Sequence, residues 1–130
     1  MNKIVTAPAA VLRTPAKLVD KVDKRIAAII RDMYQTLLAQ NEPEGVGLAA
    51  PQIGELLRIF FIRPILPDRA KPQPQLFINP QITHFSKDTI APKSKNSTLE
   101  GCLSLPNYYG HVRRSKSITV RYQTLENFKP

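Results

Sequence analysis

Between about Asp20 and Gln40, seven apolar residues recur at the three-and-four spacing of one helix face: Val22, Ile26, Ile29, Ile30, Met33, Leu37 and Leu38. Lys24, Arg25, Arg31 and Asp32 fall elsewhere on the cylinder, so the spacing predicts an amphipathic helix whose stripe packs on a core. Asp20 fits the N-cap, and Asn41 with Pro43 fits the stop. Ahead of the helix, Pro8 and Pro15 oppose regular structure, and residues 1–19 read as an extended lead-in. After Gly54 the pattern becomes strand-like. Arg58-Ile59-Phe60-Phe61-Ile62 is a run of β-formers closed by Pro64, and Leu76-Phe77-Ile78 is a second short strand stopped by Asn79-Pro80. The proline-rich stretch 64–75 reads as a loop, and the polar stretch 86–98 as a connection. Residues 117–122 alternate, placing Ile118, Val120 and Tyr122 on one face. No internal repeat or composition break divides the chain. The pattern predicts one α+β domain over residues 1–130, with one N-terminal helix and mostly antiparallel short strands.

Composition narrows the class. With 130 residues and 42% hydrophobic positions, the chain is long enough for one core. No run reaches the roughly 20 apolar residues of a membrane helix. The opening Met1-Asn2-Lys3-Ile4-Val5 lacks the apolar region of a signal peptide, and the expectation is a cytoplasmic protein. Cys102 is the only cysteine, which excludes an internal disulfide framework; a lone thiol is most often a small buried hydrophobe. The net charge is +9 and unevenly spread: residues 1–57 carry seven basic and six acidic side chains, residues 58–130 twelve and four. A basic second half suits an anionic partner such as ribosomal RNA, but the charges are dispersed without a compact basic run, which favours a solvated surface.

Two segments carry candidate chemistry. In Gly45-Val46-Gly47-Leu48-Ala49-Ala50-Pro51-Gln52, five of eight residues are small or proline, so another backbone can come close. Gln52 adds an amide able to face a developing oxyanion. Alone, the segment is read more readily as a tight turn packed on a strand than as a site, and it lacks the Lys-Ser/Thr ending of a phosphate loop. In Glu100-Gly101-Cys102-Leu103-Ser104-Leu105-Pro106, the glycine opens access to the sulfur, and a thiolate there is a soft metal ligand. A cysteine nucleophile needs a neighbouring base, and neither His84 nor His111 sits in a motif that gives it that role.

In this order and at this separation, Gly-x-Gly-x-Ala-Ala-x-Gln followed by Glu-Gly-Cys-Leu-Ser resembles the peptide deformylases. The resemblance extends to the helix before the first segment, to Phe77-Ile78-Asn79-Pro80, and to the stretch from Tyr108 to Arg114. It implies a metallohydrolase that removes the formyl group from the formyl-methionine of nascent chains, with Fe²⁺ as metal and Zn²⁺ or Ni²⁺ as substitutes. Such a metal lowers the pKa of a bound water toward neutrality.

Carried onto this sequence, the resemblance implies Cys102 as a metal ligand, with Gln52 and the backbone N–H of Leu103 as oxyanion donors. Gly45 and Gly47 are expected to pair with the substrate backbone, and Val46 to line the methionine pocket. Glu100 is expected to pair with Arg114 as a brace for the cysteine loop. The family's other two ligands and its general base come from a His-Glu-x-x-His helix, and that motif occurs nowhere in the 130 residues. The fold expected is therefore deformylase-like without its central metal-binding helix. On this reading the 130-residue chain ends before that helix, is inactive, and is marginally stable or rescued by oligomerisation. Two alternatives stay open: a non-catalytic remnant that binds peptide N-termini or a ribosomal partner, and complementation by a second chain.

Overall fold

The computed structural model describes residues 3–40, 46–63, 73–92 and 100–129, apart from the side chain of Asn107. The helical stripe forms α1, Lys24–Leu38, burying Ile26, Ile29, Ile30, Met33, Thr36 and Leu37. Its cap is Asp23 rather than Asp20: the Asp23 carboxylate accepts from the Ile26 N–H at 2.9 Å, and Asp23 has the extended backbone of an N-cap. Asp20 is too early because Val19 beside it is bonded through both backbone groups to the side chain of Asn79. Leu38 ends the helix half-exposed, off the buried stripe. The expected stop at Asn41 and Pro43 lies outside the described residues.

The strands are β1 (Gly47–Ala49), β2 (Ile59–Ile62), β3 (Gln75–Phe85), β4 (Thr89–Ile90), β5 (Glu100–Cys102), β6 (Leu105–Gly110), β7 (Arg114–Ser115) and β8 (Ile118–Gln123). All the strand pairs are antiparallel, so the class is α+β as the alternation predicted. The main sheet has the order β1-β2-β3-β8, and β4-β7 and β5-β6 form two-stranded pairs. Short 3₁₀ turns sit at Ala10–Arg13, Ala50–Ile53 and Leu125–Phe128. The first interrupts a lead-in expected to be extended throughout.

β3 also departs from expectation, because Asn79-Pro80 does not stop it. Asn79 takes a positive φ of 51°, and the register with β8 shifts between Ile78 and Gln81. The irregularity absorbs the proline, which has no N–H to give a ladder. Within the polar connection after β3, Thr89–Ile90 pairs with Arg114–Ser115; residues 93–98 of it, and 64–72 of the earlier loop, lie outside the described residues.

α1 covers one face of the sheet. Leu48, Ile59, Phe61 and Ile78 meet Ile26, Ile29, Ile30, Met33 and Leu37 in one buried cluster, with Tyr34 edge-on to Phe61 at 6.0 Å between ring centres. On the opposite face Phe60 stacks on Phe77 at 4.7 Å, and Phe77 leans on Tyr122 at 4.3 Å. This second face matters for the site, because β1 and the turn after it lie at its edge.

Candidate functional site

β1 is an edge strand among the described residues, with β2 on one side only. Gly47 pairs with Ile62 and Leu48 with Phe61, and the Arg63 N–H donates to the Val46 carbonyl at 2.7 Å. Backbone groups alternate in direction along an antiparallel strand. Val46 and Leu48 therefore point their groups at β2, and Gly47 and Ala49 point theirs at the open edge. A Cβ at position 47 would stand 3.4 Å from the Phe61 carbonyl oxygen, an ordinary van der Waals contact, so the pairing with β2 does not itself demand glycine. The Val46 side chain is exposed. Gly45 lies outside the described residues.

Gln52 closes the turn after β1. Its Oε1 accepts from the outward-facing Ala49 N–H at 2.9 Å, which fixes which end of the amide is nitrogen. Nε2 is then directed at the second segment: it donates to the Ser104 hydroxyl at 3.1 Å and reaches Cys102 Sγ at 3.6 Å. The thiol is exposed, not the buried hydrophobe that an isolated cysteine suggests. Two segments 50 residues apart in sequence thus meet through one side-chain amide.

The β5-β6 hairpin supplies the other half. Cys102 pairs with Leu105, leaving Leu103 and Ser104 as the connecting residues. Leu103 packs against the core and Ser104 is buried, so the tip of the hairpin is anchored while Cys102 faces outward. At the other end of β5, Glu100 forms a two-pronged ion pair with Arg114, Nη2 to Oε1 at 2.6 Å and Nε to Oε2 at 3.1 Å. The hydrogen bonds from Arg114 hold the Glu100 carboxyl below its ordinary pKa, and the same contact raises that of Arg114. A carboxylate so paired is not poised to accept a proton near neutrality.

Of the sequence-predicted residues, Gln52 and Cys102 meet directly, Leu103 follows Cys102 at the hairpin tip, Glu100 and Arg114 pair at the start of β5, and Val46 and Gly47 lie on the edge-strand segment that leads to Gln52. Of the two histidines, His84 is an exposed residue of β3 in register with Thr119, and His111 follows Gly110, the residue that pairs with Glu100. Among the described residues no three of His, Cys, Asp and Glu come together as a metal-binding group.

The whole chain, residues 1–130, matches the model of the family described as polypeptide deformylase. The chain belongs to that family. Among curated peptide deformylases, that of Pseudothermotoga lettingae is 43% identical over 112 residues, covering 86% of this chain and 56% of that protein. Peptide deformylase 1 of Bacillus subtilis is 42% identical over 121 residues, covering 93% of this chain and 67% of that one. A crystal structure of an Acinetobacter baumannii peptide deformylase with Met-Ala-Ser bound is 26% identical, with a TM-score of 0.78 over 97% of this chain and 78% of that one. The chain thus spans between about half and two thirds of the length of these curated deformylases.

Sequence reasoning missed Ser104 and the lead-in. The Val5 N–H donates to the Gln52 carbonyl at 2.6 Å, and the Ala7 N–H to the Ser104 carbonyl at 2.9 Å, so residues 5 and 7 strap the two segments together. The available signal for Ser104 was a lone hydroxyl between Leu103 and Leu105, a pattern that needs an internal partner once buried. The lead-in bonds are main-chain and carry no side-chain signature.

Proposed function

We propose that this chain is a peptide deformylase by function as well as family, built to hydrolyse the N-formyl group from the formyl-methionine of nascent polypeptides. The observation that carries the reading is the aim of Gln52 Nε2, fixed by Ala49 and Ser104 and directed beside Cys102. Attack on a formyl carbon makes a tetrahedral centre with a negative oxygen, and donors already in place stabilise it without reorganising. Gln52 Nε2 and the Leu103 N–H are the donors in this proposal. The peptide adds to the open edge of β1 as a further strand, pairing with Gly47 and with Gly45 beyond it. Val46 lines the methionine pocket. Glu100 and Arg114 hold the cysteine hairpin rather than take part in proton transfer. The support for a peptide substrate is the related Acinetobacter baumannii enzyme with Met-Ala-Ser bound.

Deformylases are metal-dependent, and we assign Cys102 as this chain's contribution to the metal site, with Fe²⁺ as the metal and Zn²⁺ or Ni²⁺ as substitutes. The donor set does not fit that metal by itself: one thiolate stands where three protein ligands are needed, and no group of three His, Cys, Asp or Glu assembles among the described residues. The expectation is therefore that the 130-residue chain alone does not turn over. No helix of the described residues is long and apolar enough to cross a membrane, and we place the protein in the cytoplasm as one domain.

Deformylation of formyl-Met-Ala-Ser by the purified chain, run anaerobically with Fe²⁺ or Ni²⁺, tests the reading. No turnover alone, with turnover restored by a fused or added His-Glu-x-x-His helix and lost again in Cys102→Ala, is the expected result. Failure of restoration would sink it. The incomplete ligand set favours a second reading, a non-catalytic chain that binds peptide N-termini or a ribosomal partner. Its sign is formyl-peptide or ribosome binding that Cys102→Ala leaves unchanged. Co-purification of a small histidine-rich chain would instead mark complementation.

A further inference from the structure

Ser104 is among the few polar side chains buried in the described structure, at 4% exposure, and its only place so far is as a contact of the Gln52 amide. Its hydroxyl oxygen accepts from Gln52 Nε2 at 3.1 Å. The Gln52 amide has two N–H donors and one carbonyl. Ala49 occupies the carbonyl, Ser104 takes one N–H, and the nitrogen lies 3.6 Å from Cys102 Sγ, where the second N–H points. Without the hydroxyl, the amide keeps its bond from Ala49 and the longer contact to the Cys102 sulfur, and loses the shorter of the two bonds that direct its nitrogen. The backbones of the two residues are fixed independently, because Val5 bonds the Gln52 carbonyl and Ala7 the Ser104 carbonyl. That strap sets how far apart the side chains stand; the hydroxyl sets where the amide points.

We propose that Ser104 is a positioning residue, whose buried hydroxyl orients the Gln52 amide so that its second N–H faces the reacting oxygen beside Cys102. The orientation is a property of the folded chain. Its catalytic consequence rests on the deformylase reading, in which Gln52 is an oxyanion donor. A donor held in place before reaction is worth more than one that must be ordered during it.

The test reads the Gln52 side chain directly and needs no turnover. In ¹⁵N-labelled full-length protein, the Gln52 Nε2 protons are expected to be well separated in shift, protected from water exchange, and to show a nuclear Overhauser contact with the Ser104 β-protons. In Ser104→Ala the two shifts move together, and exchange quickens about tenfold or more, as loss of one buried hydrogen bond allows. Ser104→Thr, which keeps the hydroxyl, restores separation and protection, whereas a role in packing alone would not distinguish the two variants this way. If Ser104→Ala does not fold, the contact in the wild-type chain decides, and its absence overturns the proposal. So does a Gln52 amide unchanged in Ser104→Ala, even in a preparation that deformylates peptide. Failure of a fused or added His-Glu-x-x-His helix to restore deformylation, with these signals present, overturns the functional reading and leaves the positioning role standing.

Discussion

The side-chain amide of Asn79 grips the backbone of Val19 from both directions, Oδ1 accepting from its N–H at 2.8 Å and Nδ2 donating to its carbonyl at 2.9 Å. Nδ2 also reaches Gln123 Oε1 at 2.6 Å, so one residue ties the lead-in, β3 and β8 together. Asn79 does this from a φ of 51°, a conformation that asparagine tolerates better than most residues. Two effects therefore separate by substitution. Asn79→Ala loses the bonds and keeps the strain, and should cost about 3 kcal/mol. Asn79→Gly loses the bonds but relieves the backbone, and should recover about 1 kcal/mol of that. Urea unfolding followed by circular dichroism measures both; equal costs for the two variants would mean that the positive φ stores no strain.

That residue also shows how far the sequence could be read. Asn-Pro after Leu-Phe-Ile is a sound stop signal for a strand, and it misleads here because a bonded asparagine turns the break into an irregularity inside β3. Periodicity located α1, β2 and β8, because apolar spacing is a local record of which face is buried. The cap slipped from Asp20 to Asp23 because the deciding interaction, Asn79 on Val19, spans 60 residues. The same holds at the candidate site. Gln52, Cys102, Glu100 and Arg114 were legible as residue types in order, whereas the Val5 and Ala7 bonds involve only backbone and leave no mark in the choice of side chain.

The ion pair between Glu100 and Arg114 should give the cysteine hairpin an acid-side pH dependence. Arg114 lowers the folded-state pKa of Glu100, first through its hydrogen bonds. A carboxylate depressed on folding contributes stability that is present above its unfolded pKa and fades as pH falls through the folded value. The contribution is small and salt-sensitive, because both side chains are well exposed. Arg114→Gln should return Glu100 to the ordinary carboxylate range, read from the Glu100 side-chain carboxyl carbon in a ¹³C titration. A Glu100 midpoint that does not rise in that variant would show that something other than Arg114 depresses it.

Gly101 pairs with Tyr109 across the hairpin, and the tyrosine ring lies over the bare glycine. A Cβ at position 101 would stand 2.6 Å from Tyr109 Cε1 and 2.9 Å from Cδ1, closer than real Cβ contacts come. Gly101→Ala should displace the exposed ring rather than unfold the chain, since the atoms it meets belong to a side chain with open space beside it. The expected result is a shift of the Tyr109 ring and Cys102 resonances with little change in unfolding midpoint. Adding Tyr109→Ala should return the Cys102 signals toward wild type. Equal perturbation of Cys102 in the single and double variants would place the effect in the glycine backbone instead.

The sheet face opposite α1 makes the last prediction. Phe60, Phe77 and Tyr122 line it as contacting rings, and the pairings of Ile82 with Val120 and Phe85 with Ile118 continue the same face. Among the described residues nothing covers the far end: Ile82 is 44% exposed, Ile118 49% and Phe85 59%. Scattered apolar side chains on a surface are ordinary, but a contiguous patch drives association or loosens the fold. The 14.6 kDa chain should therefore sediment as a concentration-dependent mixture heavier than a monomer, and should bind a dye such as anilinonaphthalene sulfonate in its native state. Replacing Phe85 and Ile118 together with lysine should shift the mixture toward monomer and reduce dye binding, while α1 and its core on the other face keep their helical signal. A wild-type chain that is monomeric at high concentration, unfolds in one sharp transition and binds no dye would mean that this face is covered in solution.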